Sequence, residues 1–159
     1  KYTQVIATLL LNISDISDKV KNKELNNALY TYSTLLMHKE SIGQKRAALS
    51  ALFSKNDFSK EIYEYFLTSD TQDKIYLKSF LHASTKEDKT FYFTTVDKKT
   101  IESVLKYEKL ALDKLNGKTI NVNPQQWFTS VTKKINLIQN VEHHIHKHIL
   151  VMLNELKLH

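Results

Sequence analysis

Cysteine is absent from this 159-residue chain, proline occurs once and glycine only twice. Without cysteine neither a disulfide nor a thiolate metal site can form, and the absence fits an oxidising compartment as well as a reducing one. So few turn-formers starve the chain of β-turns and favour long helices joined by few connections. No apolar run can cross a bilayer: the longest, residues 5–11, falls far short of the roughly 20 residues a spanning helix needs. No signal peptide is read within the chain, so any anchor or targeting signal is expected outside these residues. Nucleophile–base pairs, glycine-rich phosphate loops and acidic metal clusters are also missing. An enzyme is therefore not expected, nor is a cofactor. Arginine is almost absent: Arg46 stands alone among 23 basic residues, the rest being lysine.

What is present is lysine, glutamate, leucine and isoleucine in helical rhythm. The net charge is +6 with a pI near 9.3. The lysines are dispersed among Asp and Glu with no basic block, which reads as a solvated surface rather than a nucleic-acid interface.

Apolar spacing predicts a first helix with Tyr2, Val5, Ile6, Leu9, Ile13 and Ile16 on one face, and a turn within residues 19–24. The second helix carries one row of Leu25, Tyr32, Lys39, Arg46 and Phe53 and another of Ala28, Leu35, Ile42 and Leu49. Such a seam predicts packing against neighbouring helices, with two cations in successive positions of one row. Ser54, Asn56 and Asp57 read as a break and a new cap. A third helix follows, with Phe58, Ile62, Tyr65, Ser69, Gln72, Tyr76, Phe80 and Ala83 facing inward. Residues 84–97, with Phe91, Tyr92 and Phe93, read as a polar, strand-like or irregular connection, mobile for want of apolar periodicity. A fourth helix is expected over residues 98–116, stopped by Gly117. Asn123-Pro124 caps a last helix with Trp127, Val131, Ile135, Ile138, Glu142, Ile145, Ile149, Met152 and Leu156 on its inner face. The expected fold is all-α: an elongated, mostly antiparallel bundle of four to five main helices in one domain, 1–159.

Lys39, Gly43 and Arg46 are spaced by four and three residues, so they share a helix face. Gly43 either opens space between the cations or lets another backbone approach, at a helix-propensity cost of about 1 kcal/mol. Two buried cations need compensating negative charge. Glu142, Asp70 or Asp73 could supply it as an internal salt bridge; the alternative is a bound anion, which arginine's planar fork suits. Tyr32, two turns earlier on the seam, is the tyrosine best placed to touch such a pocket. Trp127-Phe128 reads as a core anchor. Among His143, His144, His146 and His148 only His144 and His148 have the four-residue spacing of paired ligands. Zinc would need a third ligand from elsewhere and no His-Glu-x-x-His pattern is present, so a solvated or interfacial face is expected and no dedicated metal site, with incidental metal binding the alternative.

The run Ala28-Leu29-Tyr30-Thr31-Tyr32, followed by Leu35-Leu36-Met37-His38-Lys39-Glu40-Ser41-Ile42-Gly43-Gln44-Lys45-Arg46-Ala47, resembles the signature of the nitrate- and nitrite-sensing (NIT) domain family. Gln72-x-x-x-Tyr76-Leu77-x-x-Phe80-x-x-Ala83 and Trp127-Phe128-x-x-x-Thr132-x-Lys134-Ile135 fit the same pattern. The resemblance implies an all-helical bacterial signal-input domain in which arginines from different helices converge on a small anion. Arg46 matches one such arginine, and Lys134 stands where other members often carry arginine. Lys45 replaces the family's usual glutamate, and a further arginine-bearing N-terminal half is not matched. On this reading the ligand-binding set is Arg46, Lys39, Gly43, Tyr32, Gln72, Thr132 and Lys134, with nitrate or nitrite as ligand. A homodimer, a covalently linked output domain (chemoreceptor, diguanylate cyclase or kinase) and a periplasmic or, as in some members, cytoplasmic setting are the implied partners and place. Membrane contact would come only through flanking segments. The rival expectation is a helical dimerisation module with internally paired seam charges.

Overall fold

The structure, a computed structural model, describes residues 22–55 and 59–157. Five helices make up 89% of the described residues, with no strand among them, and this establishes an all-α bundle. In chain order they are α1 (Lys23–Lys55), α2 (Lys60–Ala83), α3 (Lys86–Thr95), α4 (Lys98–Leu115) and α5 (Pro124–Lys157). The helix expected around Tyr2 to Ile16, and the positions Asn56, Asp57 and Phe58, lie outside the described residues.

Each helix starts where a short polar side chain can satisfy free amides. Asn22 Oδ1 accepts from the amides of Glu24 and Leu25 at 3.0 and 3.1 Å. Ser59 caps α2, its Oγ accepting from Ile62 N at 3.3 Å, while Ser54, expected within the break, is still in the last turn of α1. Asp97 Oδ1 accepts from Thr100 N at 2.8 Å, and Asn123 Oδ1 from Gln125 N at 2.9 Å with Pro124 in the first turn. After α4, Gly117 adopts φ +85°, a left-handed conformation that glycine enters without steric cost.

Residues 84–97 are not a loop. Thr85 Oγ1 accepts from Asp88 N at 3.1 Å, and acidic Glu87 and Asp88 occupy the positive first turn of α3. Tyr92, 1% exposed, then anchors the helix in the core against Phe80, with ring centroids 5.5 Å apart.

The long helix α1 lies between α2 and α5, and α3 and α4 both pack on α5. Leu25, Tyr32, Leu35, Ile42, Leu49 and Phe53 are buried as the seam requires. Lys39 and Arg46, expected inside, are half-buried at its margin. The inner stripe of α2 is Phe66, Ser69, Asp73 and Phe80, whereas Tyr65 and Gln72 face outward. On α5, Trp127, Val131, Ile138, Ile145 and Ile149 are buried, but Leu156 is exposed beyond the end of the core.

Candidate functional site

Arg46 projects from the middle of α1 toward the first turns of α5. Its Nη1 donates to Thr132 Oγ1 at 3.0 Å, and its guanidinium carbon lies 5.0 Å from the centroid of the Phe128 ring. Its carbonyl accepts from Trp127 Nε1 at 3.2 Å, which fixes the backbone. Among the described residues no carboxylate comes within ion-pair distance of it. An open cleft of about 420 Å³ lies alongside, walled by Lys39, Glu40, Gly43, Gln44 and Arg46 of α1, Tyr65 of α2, and Ile135, Asn136 and Gln139 of α5. A Cβ built on Gly43 would meet nothing within 4 Å, so this glycine opens space rather than admitting another backbone. Lys39 Nζ is paired with Glu142 across the α1–α5 contact. Its charge is therefore already answered within the protein.

The structure thus brings Lys39, Gly43, Arg46 and Thr132 together and sets the other three apart. Tyr32 is buried against His146, with ring centroids 6.0 Å apart. Burial, and then the Glu142 charge, push its hydroxyl up to about 12, so it stays protonated. Gln72 is exposed and Lys134 is buried; neither lines the cleft.

A second cluster lies deeper in the bundle; the sequence reading offered its Asp70 and Asp73 as partners for Arg46 or Lys39, but the structure pairs them with Lys45. Lys45, the residue before Arg46, is 2% exposed and surrounded by Asp73 at 2.6 Å, Glu108 at 2.7 Å and Asp70 at 3.2 Å. Burial works against its charge, but Glu108 and Asp73 outweigh burial and hold the ammonium well above the ordinary lysine range. Burial likewise opposes ionisation of Asp73, yet His38, Lys45 and Lys134 hold its carboxyl well below the usual carboxylate range. Lys134 is pushed down, chiefly by burial and further by Lys45. Each helix contributes a group: His38 and Lys45 from α1, Asp70 and Asp73 from α2, Tyr92 from α3, Glu108 from α4 and Lys134 from α5. With an ammonium already seated among its carboxylates, this cluster is an internal charge network and not a ligand pocket.

His38 belongs to it. Its Nδ1 lies 2.5 Å from Asp73 Oδ1 and its Nε2 2.9 Å from the Tyr92 hydroxyl. One proton satisfies both nitrogens: Nδ1–H faces the carboxylate and Nε2 accepts from the hydroxyl. Burial, reinforced by Lys134 and Lys45, outweighs Asp73 and pushes the imidazole pKa down, so His38 is neutral at pH 7. The unfolded chain takes up a proton here near pH 6.5 and the native chain does not, so stability declines as pH falls through that value. Urea midpoints between pH 8 and 5.5 should fall for the wild type and flatten in His38→Gln. Equal slopes would assign the titration elsewhere.

Comparison with known proteins agrees with this architecture. The nitrate and nitrite sensing family matches residues 1–150. No curated protein and no solved structure matches the chain. The family is one of sensing domains rather than catalysts. A match over nearly the whole length, on an all-helical bundle, places the chain in a family: it belongs to the nitrate and nitrite sensing (NIT) domains.

Proposed function

We propose that this chain is the signal-input domain of a bacterial receptor and that a small oxyanion, nitrate or nitrite, binds in the cleft beside Arg46. The observation that carries this reading is the sole arginine of the chain, without a carboxylate partner among the described residues, at the wall of an open cleft. Arg46 supplies the fork, Thr132 orients it, and the amides of Gln44, Asn136 and Gln139 offer donors. Lys39, paired with Glu142, adds little net charge of its own. The cleft lies between α1 and α5, each about 50 Å long at 33 and 34 residues. An anion bridging them biases their relative shear, which an attached output domain on the other side of a membrane would read. No helix among the described residues is long and apolar enough to cross a membrane.

Calorimetric titration with nitrate, nitrite, chloride and a small carboxylate tests the reading. Saturable binding of one anion is expected, weakened more than about tenfold in Arg46→Ala, the scale of a charge-assisted hydrogen bond. Gly43→Leu, which fills the cleft from a position with free space, should block binding without unfolding the protein. Full affinity in Arg46→Ala would sink the assignment. The pairing of Lys39 with Glu142 favours the second reading, a helical interaction module. That reading gains if no anion binds and sedimentation shows a dimer.

A further inference from the structure

The histidines of α5, unassigned by the sensing role, meet the first turn of α3. His144 and His148, one helical turn apart, present their rings to the two acidic residues there. One ligand atom each from Glu87, His144 and His148 lies within 4.8 Å of the other two. Asp88 Oδ1 sits 3.5 Å from His144 Nε2 and 3.9 Å from His148 Nδ1. Asp88 is 8% exposed, and both its Oδ1 and His144 Nε2 are buried without a hydrogen-bond partner among the described residues. This buried carboxylate oxygen and imidazole nitrogen form a long pair at 3.5 Å that no hydrogen bond closes, so an ion lying beside both could take each as a ligand.

We propose that Glu87, Asp88, His144 and His148 form a site for a divalent transition-metal ion, with zinc the best fit, that staples α3 to α5. Two imidazoles with carboxylates are a donor set for this class of ion. Zinc bonds of about 2.0–2.2 Å in a tetrahedron place neighbouring donors roughly 3.3–3.6 Å apart; the Asp88–His144 spacing of 3.5 Å meets this, and that to His148, 3.9 Å, needs only a small side-chain adjustment. The Phe91 ring lies parallel to His144, 3.8 Å between centroids, and so fixes the imidazole plane in advance. A cleft of about 340 Å³ that includes Glu87, Asp88 and His148 in its wall gives the ion an entry path. The third ligand that the sequence lacked comes from α3, the segment read there as a loop. Because α3 also carries Tyr92 to His38, an ion here would brace the edge of the buried charge network.

The test is titration of untagged, chelator-treated protein with zinc chloride, with thermal unfolding in parallel. One ion per chain is expected, with a higher midpoint of unfolding. His148→Ala and Glu87→Gln, at positions open enough to keep the fold, should each weaken binding by more than about tenfold, the scale on which even outer-sphere partners act. His143→Ala, exposed on the same helix, should change nothing. Circular dichroism of the metal-free variants separates loss of the site from loss of fold. Absence of binding, affinity unchanged by His148→Ala, or equal loss on His143→Ala (an adventitious ion on surface histidines) would each overturn the proposal.

Discussion

Lys45→Met should lower the unfolding free energy by about 3–5 kcal/mol, because removing one member of a buried ion cluster leaves its partners charged and uncompensated. Methionine keeps the unbranched shape of the stem, so the loss reports charge rather than packing. Three carboxylates face the ammonium, and Asp73 and Glu108 are both nearly inaccessible to water. The pH dependence identifies the cause. In the wild type the depressed Asp73 carboxyl contributes stability above about pH 4 that is lost as pH falls further. In the variant Asp73 keeps His38 and Lys134 but loses Lys45, so its carboxyl is held down less and less stability is lost in acid. The gap between the two proteins should therefore narrow in acid. Glu108→Gln added to Lys45→Met should recover part of the loss. A urea-denaturation difference below about 1 kcal/mol would mean that Lys134 takes over the pairing and Lys45 is dispensable.

Trp127→Ala is expected to cost a similar about 3–5 kcal/mol, here through a cavity rather than a charge. The side chain is fully buried and ties α5 to two neighbouring helices. Its ring meets Phe53 of α1 and Tyr107 of α4 edge-on, at 6.2 and 6.0 Å between centroids, and its Nε1 donates to the Arg46 carbonyl. Phenylalanine at this position retains much of the packing and loses the hydrogen bond, so Trp127→Phe should cost distinctly less. Trp127 is the only tryptophan, so unfolding has to be followed by circular dichroism. If the anion reading holds, Trp127→Phe also weakens anion binding, since the residue that steadies the Arg46 backbone is gone. A stability loss for Trp127→Ala of under about 1 kcal/mol would show that the site collapses around the missing ring.

Helix ends were legible where chain chemistry marks them. Asn123-Pro124 starts α5 and Gly117 follows α4 as their conformational preferences require. The start of α3 carried the same kind of mark, Thr85-x-x-Asp88, but three consecutive aromatics and a run of polar residues hid the periodicity. The candidate anion site was half legible. Spacing alone brings Lys39, Gly43 and Arg46 onto one face, and the Lys39–Glu142 pair was among the salt bridges the helix faces allowed. The charge network was not read because a charged residue is ordinarily assigned to solvent. A signal existed: on α4, Glu108 continues the row Thr100, Val104 and Ala111, all buried, so a carboxylate stood in an otherwise inward stripe. The lysine at position 45 then has a physical reason. A glutamate there would be a fourth carboxylate facing Asp70, Asp73 and Glu108.

Lys45 and Arg46 share a peptide bond and point about 100° apart around the helix. One is the hub that draws in carboxylates from α2 and α4, and the other faces the cleft. The α1 wall of that cleft is consequently the part of the molecule least free to be retuned, since any shift of its backbone drags the hub with it. On the opposite wall Asn136 and Gln139 of α5 carry none of the network's charges, although Lys134 ties the same helix to it. If the anion reading holds, Asn136 and Gln139 are the positions at which ligand preference would change at least cost to the buried network, with the α1 wall as the fixed reference.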